Sequence, residues 1–174
     1  MYGDFLAQFG FLVECDELYD TPRRVIDYYL NELFYGLDYT NFPDISVTNN
    51  SYSYVSPVIA KGITVNSVCE HHMTSITGSA TVLYCITDKV IGLSCVNKIV
   101  DFFSHRPQLQ ERLSRQISEV LKLILGHDDV AVIINARHDC IIKRGIKEYN
   151  SEITTVEASG AFAAGGKYNT YLTM

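Results

Sequence analysis

The fold of this chain is decided by a stretch near its middle, in which residues 76–86 read ITGSATVLYCI. Small and apolar side chains occupy the even positions from Ile76 to Ile86, whereas hydroxyl side chains occupy the odd positions from Thr77 to Thr81. A period of two residues with one apolar face is typical of a half-buried β-strand. We therefore predict a strand over residues 76–86 that packs one face against a hydrophobic core.

Patterns on both sides of this strand predict helices and further strands. Thr21-Pro22 has the form of an N-cap followed by proline at the first helical position, and this helix is expected to end at Gly36. A second helix is expected after Ser94, and an apolar stripe over residues 109–125 predicts a third, long helix. Further strands are predicted near residues 52–55, over 130–136 and over 153–156. Two strands, two helices and two strands after a helical preface indicate an α+β domain with an antiparallel sheet.

The composition fits one compact domain in a reducing compartment. The 174 residues are 47% hydrophobic and 20% charged, which is sufficient for a single core. The five cysteines form an odd count, no apolar run reaches membrane-spanning length, and the first residues lack a signal-peptide pattern. We therefore expect a cytoplasmic protein without a membrane partner. The formal net charge of -6 argues against nucleic acid as an obligate partner.

Two short clusters carry the residue types of a metal site, since a CEHH motif begins at Cys69 and an HDC motif ends at Cys140. Cys69 and His72 stand as C-x-x-H, a separation that lets one turn aim both side chains at a common point. Cys140 is expected as a third ligand from the following strand region. Three ligands leave an open coordination position, which is typical of a metal hydrolase. The spacing alone allows His71 in place of His72.

The second cluster also offers an acid/base residue. His138 and Cys140 are two residues apart, so on an extended segment both side chains point to the same face. His138 is then expected beside the metal, as an imidazole that is free to transfer protons. The alternative is a closed, structural zinc site in which His138 or His71 is the fourth ligand.

Five motifs together resemble the GTP cyclohydrolase I family in their order and spacing. They are TPRRV at 21–25, CEHH at 69–72, VIGLS at 90–94, RPQLQERL at 106–113 and H-x-C-x-x-x-R-G at 138–145. The similarity extends over residues 19–162, which leaves 1–18 as a short N-terminal extension and 163–174 as a C-terminal tail. The resemblance implies a tunnelling fold, with an antiparallel sheet, two helices packed on one face and an N-terminal helix. It also implies a homo-oligomer, a pentamer or decamer, whose subunits form a ring-shaped barrel.

The resemblance implies a reaction and the residues that perform it. The family uses a zinc-activated water to open the guanine imidazole ring of GTP at C8, releases formate and forms 7,8-dihydroneopterin triphosphate. By resemblance, Cys69, His72 and Cys140 bind Zn2+. His71 and His138 are then the proton-transfer residues, which resolves the choice that the spacing left open.

Further residues match the family's substrate pocket. Gln110 and Glu111 match its guanine-reading pair, and a carboxylate is suited to accept from the N1–H and amino group of guanine. Ser94 matches a catalytic position. The matching substrate-binding cations are Arg24, Lys98 and Arg144.

Three positions depart from the family's triphosphate pocket. Where the family usually has lysine, arginine and lysine, this chain has Cys95, Lys98 and Asp27. Cys95 removes one cation, Lys98 lacks the bidentate geometry of arginine, and Asp27 replaces a cation with an anion. We therefore expect a weaker preference for GTP over guanine compounds with fewer phosphates, unless Arg23, Lys61 or a cation of another subunit fills the pocket.

Three functions are compatible with these motifs. The first is a cyclohydrolase that acts on GTP, and the second is a related cyclohydrolase whose guanine nucleotide or nucleoside carries fewer phosphates. The third is a catalytically silent, zinc-stabilised oligomeric scaffold. The chain retains both non-ligand histidines and the Gln110-Glu111 pair, which a scaffold does not need, so the sequence favours an enzyme.

Overall fold

A five-stranded sheet forms the centre of the computed structural model, which describes residues 18–173. The strands in chain order are β1 (Val47–Asn49), β2 (Val58–Cys69), β3 (Ser75–Tyr84), β4 (Lys89–Ile91), β5 (Pro107–Gln108), β6 (Val130–His138) and β7 (Ile153–Ala158). The large sheet has the order β5-β2-β3-β6-β7, while β1 and β4 form a separate antiparallel pair. Its neighbouring strands are antiparallel except β2 and β5, which pair in parallel over two residues.

The helices lie before, between and after these strands. Within residues 18–173 the α-helices are α1 (Thr21–Asp27), α2 (Leu93–Ser104), α3 (Gln110–Leu125) and α4 (Asp139–Ile142). A π-helical segment, Tyr28–Leu33, continues α1. Short 3-10 turns lie at Tyr35–Leu37, Tyr39–Asn41, Gly160–Phe162 and Asn169–Thr173.

The main core lies between one face of the sheet and the helices α2 and α3. The alternation of β3 has the predicted effect, because Ile76, Ala80, Val82 and Tyr84 are all buried in this core. The helices contribute apolar side chains that are also fully buried, among them Val96, Ile99, Val100, Leu113, Ile117 and Leu121. The predicted α+β arrangement, with an antiparallel sheet and two helices on one face, is confirmed.

The opposite face of the sheet is covered by the C-terminal segment. Leu83, Cys85 and Ala131 on this face are buried together with Phe162. The partly buried residues packed around them include Ile59, Ile133, Tyr168, Tyr171 and Leu172. Residues that the sequence places in a C-terminal tail therefore pack against the sheet.

The predicted strand near residues 52–55 is wrong, because Asn50 holds this segment in a turn. The Asn50 side chain accepts from the Tyr54 N–H at 3.0 Å and donates to the carbonyl oxygens of Tyr54 and Thr87 at 2.9 Å. Such side-chain bonds to the backbone compete with strand formation. The strand begins later, at Val58, and the sequence conceals it because a register shift between Ala60 and Ile63 interrupts its alternation.

The predicted N-terminal helix is confirmed only in part. It is α-helical to Asp27 and π-helical from Tyr28 to Leu33, and Thr21 is its first residue instead of its N-cap. Gly36, the predicted helix stop, has a packing role. Its N–H donates to the His105 carbonyl oxygen at 3.0 Å, and an added Cβ would lie 2.1 Å from the Phe102 carbonyl oxygen.

The remaining predicted elements are confirmed. The helices expected after Ser94 and over residues 109–125 are α2 and α3, and α3 ends at Gly126 with a φ of 77°. The strands expected over 76–86, 130–136 and 153–156 are β3, β6 and β7.

Candidate active site

The CEHH motif forms a tight turn between β2 and β3. Cys69 is the last residue of β2, and its N–H donates to the Thr74 carbonyl oxygen at 2.7 Å. The Met73 N–H donates back to the Cys69 carbonyl oxygen at 2.8 Å, and Met73 has a left-handed φ of 52°. This turn places His72 Nδ1 3.7 Å from Cys69 Sγ.

The third member of the cluster arrives from β6. Because β6 lies antiparallel to β3, His138 stands opposite Ile76, and the chain then enters α4. One ligand atom each from Cys69, His72 and Cys140 lies within 4.8 Å of the others. The extended geometry predicted for His138 and Cys140 is wrong, since the strand ends at His138 and Cys140 belongs to a helical turn.

The donor set of this cluster fits a divalent metal ion. In a tetrahedral site with bonds of about 2.3 Å to sulfur and about 2.0 Å to nitrogen, ligand atoms lie roughly 3.5 Å apart. The 3.7 Å separation of Cys69 Sγ and His72 Nδ1 is close to this value. Burial and the neighbouring Cys69 thiol raise the pKa of Cys140. A bound cation would reverse this effect because it stabilises the thiolate.

His71 lies outside the metal-binding cluster. Its imidazole is exposed, and its Nε2 is 3.9 Å from the Glu70 carboxylate. Of the two adjacent histidines, His72 therefore supplies the imidazole of the cluster, and His71 remains available to other groups.

His138 is held by a buried glutamine at the start of α3. Its Nε2 lies 2.7 Å from Gln110 Oε1. The Gln110 Nε2 donates to the carbonyl oxygens of Ile134 and Ile153, both at 2.9 Å, and lies 3.3 Å from Thr155 Oγ1. Gln110 is 2% exposed, so its side chain is committed to protein partners. The role of Gln110 in guanine recognition stays a prediction.

Burial sets the protonation behaviour of His138. It lowers the pKa of His138 below its usual value, and the Glu111 carboxylate opposes this effect. The Glu111 side chain is exposed and directly follows Gln110 in sequence. Glu111 is the acidic residue in the first turn of α3.

A second connection runs from α3 to the CEHH turn, and sequence analysis missed it. Arg112 Nη2 donates to the Glu70 carboxylate and, at 3.0 Å, to the Pro107 carbonyl oxygen. Arg112 Nε donates to Gln108 Oε1 at 2.9 Å. The RPQLQERL motif contains Arg112, Gln108 and Pro107. The motif alone does not indicate that Arg112 contacts Glu70.

The expected phosphate-binding residues are distributed over separate elements. Arg24 on α1 pairs with Asp20 at 3.7 Å, Ser94 and Lys98 are exposed on α2, and Arg144 is exposed after α4. Within residues 18–173, none of these four is hydrogen-bonded to or ion-paired with the metal-binding cluster.

Cys95 and Asp27, two of the positions that depart from the expected phosphate pocket, each have defined neighbours. Cys95 is 2% exposed, and its Sγ accepts from the Ser46 N–H at 3.3 Å, so the thiol faces the core. Asp27 is exposed on α1 and pairs with Arg23 at 3.3 Å. Neither position presents a cation to solvent.

The fold and the site define a class of α+β proteins in which two thiols and an imidazole from two strand ends form a candidate metal centre. A sequence profile described as GTP cyclohydrolase I matches residues 2–173. The chain belongs to the GTP cyclohydrolase I family.

Curated relatives and one solved structure give the extent of the similarity. GTP cyclohydrolase 1 of Erwinia tasmaniensis is 49% identical over 150 residues, which cover 86% of this chain and 68% of that protein. GTP cyclohydrolase 1 of Photobacterium profundum is 48% identical over 147 residues, with 84% and 68% covered. A crystal structure of an archaeosine synthase, QueF-Like, in the apo form has a TM-score of 0.48 and 22% identity, with 61% of this chain and 93% of that chain covered.

No helix among residues 18–173 combines the length and the apolar character needed to cross a membrane.

Proposed function

We propose that this chain is a zinc-dependent GTP cyclohydrolase I, which opens the guanine ring at C8, releases formate and forms 7,8-dihydroneopterin triphosphate. The single observation behind this proposal is the convergence of Cys69, His72 and Cys140, with His138 and His71 left outside the ligand set. A closed structural site would use a fourth protein ligand. The activity of the named relatives supports the same reaction.

Zinc suits the donor set because it accepts thiolate and imidazole ligands, and when bound it would supply Lewis-acid activation of a water. The residues of this chain would supply the remaining chemistry. His138, held at Nε2 by Gln110, exchanges protons with the opening ring, and His71 is available for a second transfer because it is exposed beside Glu70.

Guanine recognition is assigned to the first turn of α3. The exposed Glu111 carboxylate can accept from the N1–H and the amino group of guanine. Because Glu111 directly follows Gln110, which contacts His138, guanine bound there would bring its imidazole portion toward the proton-transfer residues. Arg24, Lys98, Arg144 and Ser94 are proposed to contact the ribose and phosphates.

A second candidate substrate is a guanine nucleotide or nucleoside with fewer phosphates. The burial of Cys95 and the pairing of Asp27 with Arg23 favour it, because the two positions add no exposed positive charge for a γ-phosphate. Turnover of GTP, GDP, GMP and guanosine, compared as kcat/KM, distinguishes the two substrates. A strong GTP preference in the unmodified protein excludes the second.

The proposed cellular setting follows from the reaction. We place the enzyme in the cytoplasm, as a homo-oligomer without a nucleic-acid or membrane partner. GTP and a reduced thiol pair are both compatible with a cytoplasmic location.

The direct test measures metal content and product formation together. We expect about one zinc ion per chain in the wild-type protein, with formate release and pterin fluorescence on addition of GTP. Cys69→Ala and Cys140→Ala should lose both the metal and the activity, because two ligands hold the ion weakly. Cys85→Ala is the matched control, since Cys85 is a buried thiol on the opposite sheet face. Zinc-loaded protein that releases no formate from any guanine substrate would refute the proposed function.

A further inference from the structure

The orientation of the Gln110 side-chain amide is determined by its surroundings. The amide nitrogen carries two hydrogens, and the carbonyl oxygens of Ile134 and Ile153 each lie 2.9 Å from it. Carbonyl oxygens only accept hydrogen bonds. In the reversed orientation, the amide oxygen would face two other oxygens without a hydrogen between them. The nitrogen therefore faces the strands β6 and β7, and the oxygen faces His138.

Additional contacts hold the glutamine itself in place. It is the first residue of α3, and its own carbonyl oxygen accepts from Ser114 Oγ at 3.1 Å. Ser114 Oγ also lies 2.6 Å from Thr155 Oγ1 on β7, which joins the start of α3 to the edge of the sheet. The side chain is 2% exposed, so water does not compete for its amide. The amide is thus a fixed acceptor for the imidazole.

This fixed acceptor selects one form of the His138 ring. Gln110 Oε1 lies 2.7 Å from His138 Nε2 and offers only lone pairs, so Nε2 must carry the hydrogen. A neutral imidazole has one N–H, and its other nitrogen then has the free lone pair. That nitrogen is Nδ1.

We propose that Gln110 is a positioning residue that fixes His138 as the Nε2–H tautomer, so that Nδ1 is the nitrogen that accepts and returns the proton. This inference rests on the proposed function, in which His138 transfers protons. When Nδ1 takes a proton, the Nε2–H bond to Gln110 remains, and return of the proton from Nδ1 restores the starting tautomer. Gln110 thereby serves the reaction through His138, and not through the substrate.

The first test reads the tautomer directly in the intact, zinc-loaded protein. In protein labelled with ¹⁵N-histidine, NMR distinguishes an Nε2–H from an Nδ1–H ring, and the His138 signals are identified by their loss in His138→Asn. We expect the Nε2–H tautomer in the wild-type protein. An Nδ1–H tautomer would overturn the proposal without requiring any Gln110 variant to fold.

The second test uses Gln110→Met, which keeps the length of the side chain and removes the acceptor. We expect a mixture of tautomers, unchanged zinc content, and a kcat for GTP about 10–100-fold lower at an unchanged KM, as is typical when a supporting hydrogen bond is lost. Ser118→Ala is the control, because Ser118 is a buried polar residue of α3 without a role in the site. We expect wild-type kinetics and tautomer for it.

Two results would contradict a positioning role for Gln110. Unchanged kcat and tautomer in Gln110→Met would show that the glutamine does not control the ring. A raised KM at unchanged kcat would instead assign Gln110 to substrate binding. Wild-type protein that releases no formate would refute the proposed function, whereas the NMR tautomer would still decide whether Gln110 fixes the ring.

Discussion

Asp27 is the residue at which the sequence resemblance predicts a reversed charge in the phosphate pocket. Its carboxylate pairs with Arg23 at 3.3 Å, and both side chains are more than half exposed. Exposed ion pairs contribute on the order of 0–1 kcal/mol to stability. A substitution at Asp27 should therefore leave the fold intact. A resulting change in substrate preference would report on phosphate binding.

We expect Asp27→Lys to raise the preference for GTP over guanosine, by up to about tenfold in kcat/KM, because it replaces an anion with a cation and leaves Arg23 paired only with Asp20, at 3.6 Å. The measurement is kcat/KM across GTP, GDP, GMP and guanosine. Glu119→Lys is the control, since Glu119 is an exposed carboxylate of α3 that pairs with Lys122. An equal change in the two variants would mean that net charge, and not the α1 position, is responsible.

At the scale of elements, the first turn of α3 joins the two halves of the site. Gln110 holds His138 at the end of β6, and Arg112 holds Glu70 in the turn after β2. Glu111 lies between Gln110 and Arg112 in sequence, and its side chain is exposed. One helical turn thus contacts His138 directly and Glu70, the neighbour of His71 in sequence.

We expect Arg112→Lys to reduce kcat about 10–100-fold with little loss of zinc. Lysine keeps the charge but cannot bond Glu70, Gln108 and Pro107 together, so the Glu70–His71 segment loses its support. Steady-state kinetics and metal analysis on the same preparation provide the measurement. Arg115→Lys is the matched control, because Arg115 is exposed on the same helix, 3.9 Å from Glu157. Loss of zinc in Arg112→Lys would show that Arg112 also supports the metal-binding cluster. This result would contradict a role of Arg112 that is limited to supporting His71.

A second contact between elements predicts a pH dependence of stability. The Tyr35 hydroxyl donates to the Asp101 carboxylate, which joins the turn after α1 to α2. Burial and this carboxylate raise the pKa of Tyr35 above its usual value. The neutral phenol is therefore favoured in the folded state. Its contribution to stability is complete below the unfolded pKa, near 10, and decreases as the pH rises above it.

Tyr35→Phe should lower the free energy of unfolding by about 1.5 kcal/mol at pH 8, the lower end of the range for a hydrogen bond to a charged group, because Asp101 is partly exposed. The difference from wild type should decrease above about pH 10, because the wild-type phenol loses its contribution there. Urea unfolding at pH 8 and above pH 10 measures both effects. Tyr52→Phe is the control, since Tyr52 is 96% exposed. If the difference in free energy of unfolding between wild type and Tyr35→Phe instead grew with pH, the stabilising role of the neutral Tyr35 phenol would be contradicted.

Sequence patterns identified the elements whose periodicity is continuous. The alternation of residues 76–86 and the stripe over 109–125 predicted β3 and α3, whereas the bulge at Ala60–Ile63 concealed β2. In the site, the spacing and resemblance of Cys69, His72 and Cys140 predicted the cluster. The contact of Gln110 with His138 depends on carbonyl groups of β6 and β7, which come close to Gln110 only when the chain has folded. No local sequence pattern therefore predicts this contact.

At the scale of the whole molecule, the large sheet has two open edges. Within the described residues 18–173, β2 pairs on its outer side with β5 only at Val68 and Cys69, and β7 has no outer neighbour. Unpaired edges are protected in stable proteins, and ring closure between identical subunits is one means of protection. The edges therefore support the proposed ring of subunits.

We expect the wild-type protein to sediment as a pentamer or decamer, and Val156→Lys to shift it toward smaller species. Val156 is an apolar residue of β7 that is 53% exposed, and a lysine on an edge strand opposes pairing with another chain. Leu123→Lys is the control, because Leu123 is 82% exposed on α3. A fully active wild-type monomer would refute the ring.

The pairing of β3 with β6 has a consequence for the order of folding. The pairing places His138 opposite Ile76, and the chain between these two residues forms β4, α2, β5 and α3. The two residues are therefore distant along the chain. Contacts between residues distant along the chain close large loops and therefore form slowly. Cys69 and His72 belong to one hairpin and can meet early, whereas Cys140 joins them only after β6 has docked. We therefore expect the three ligands to come together only after β6 has paired with β3, so that a folding chain first offers a metal ion two ligands instead of three.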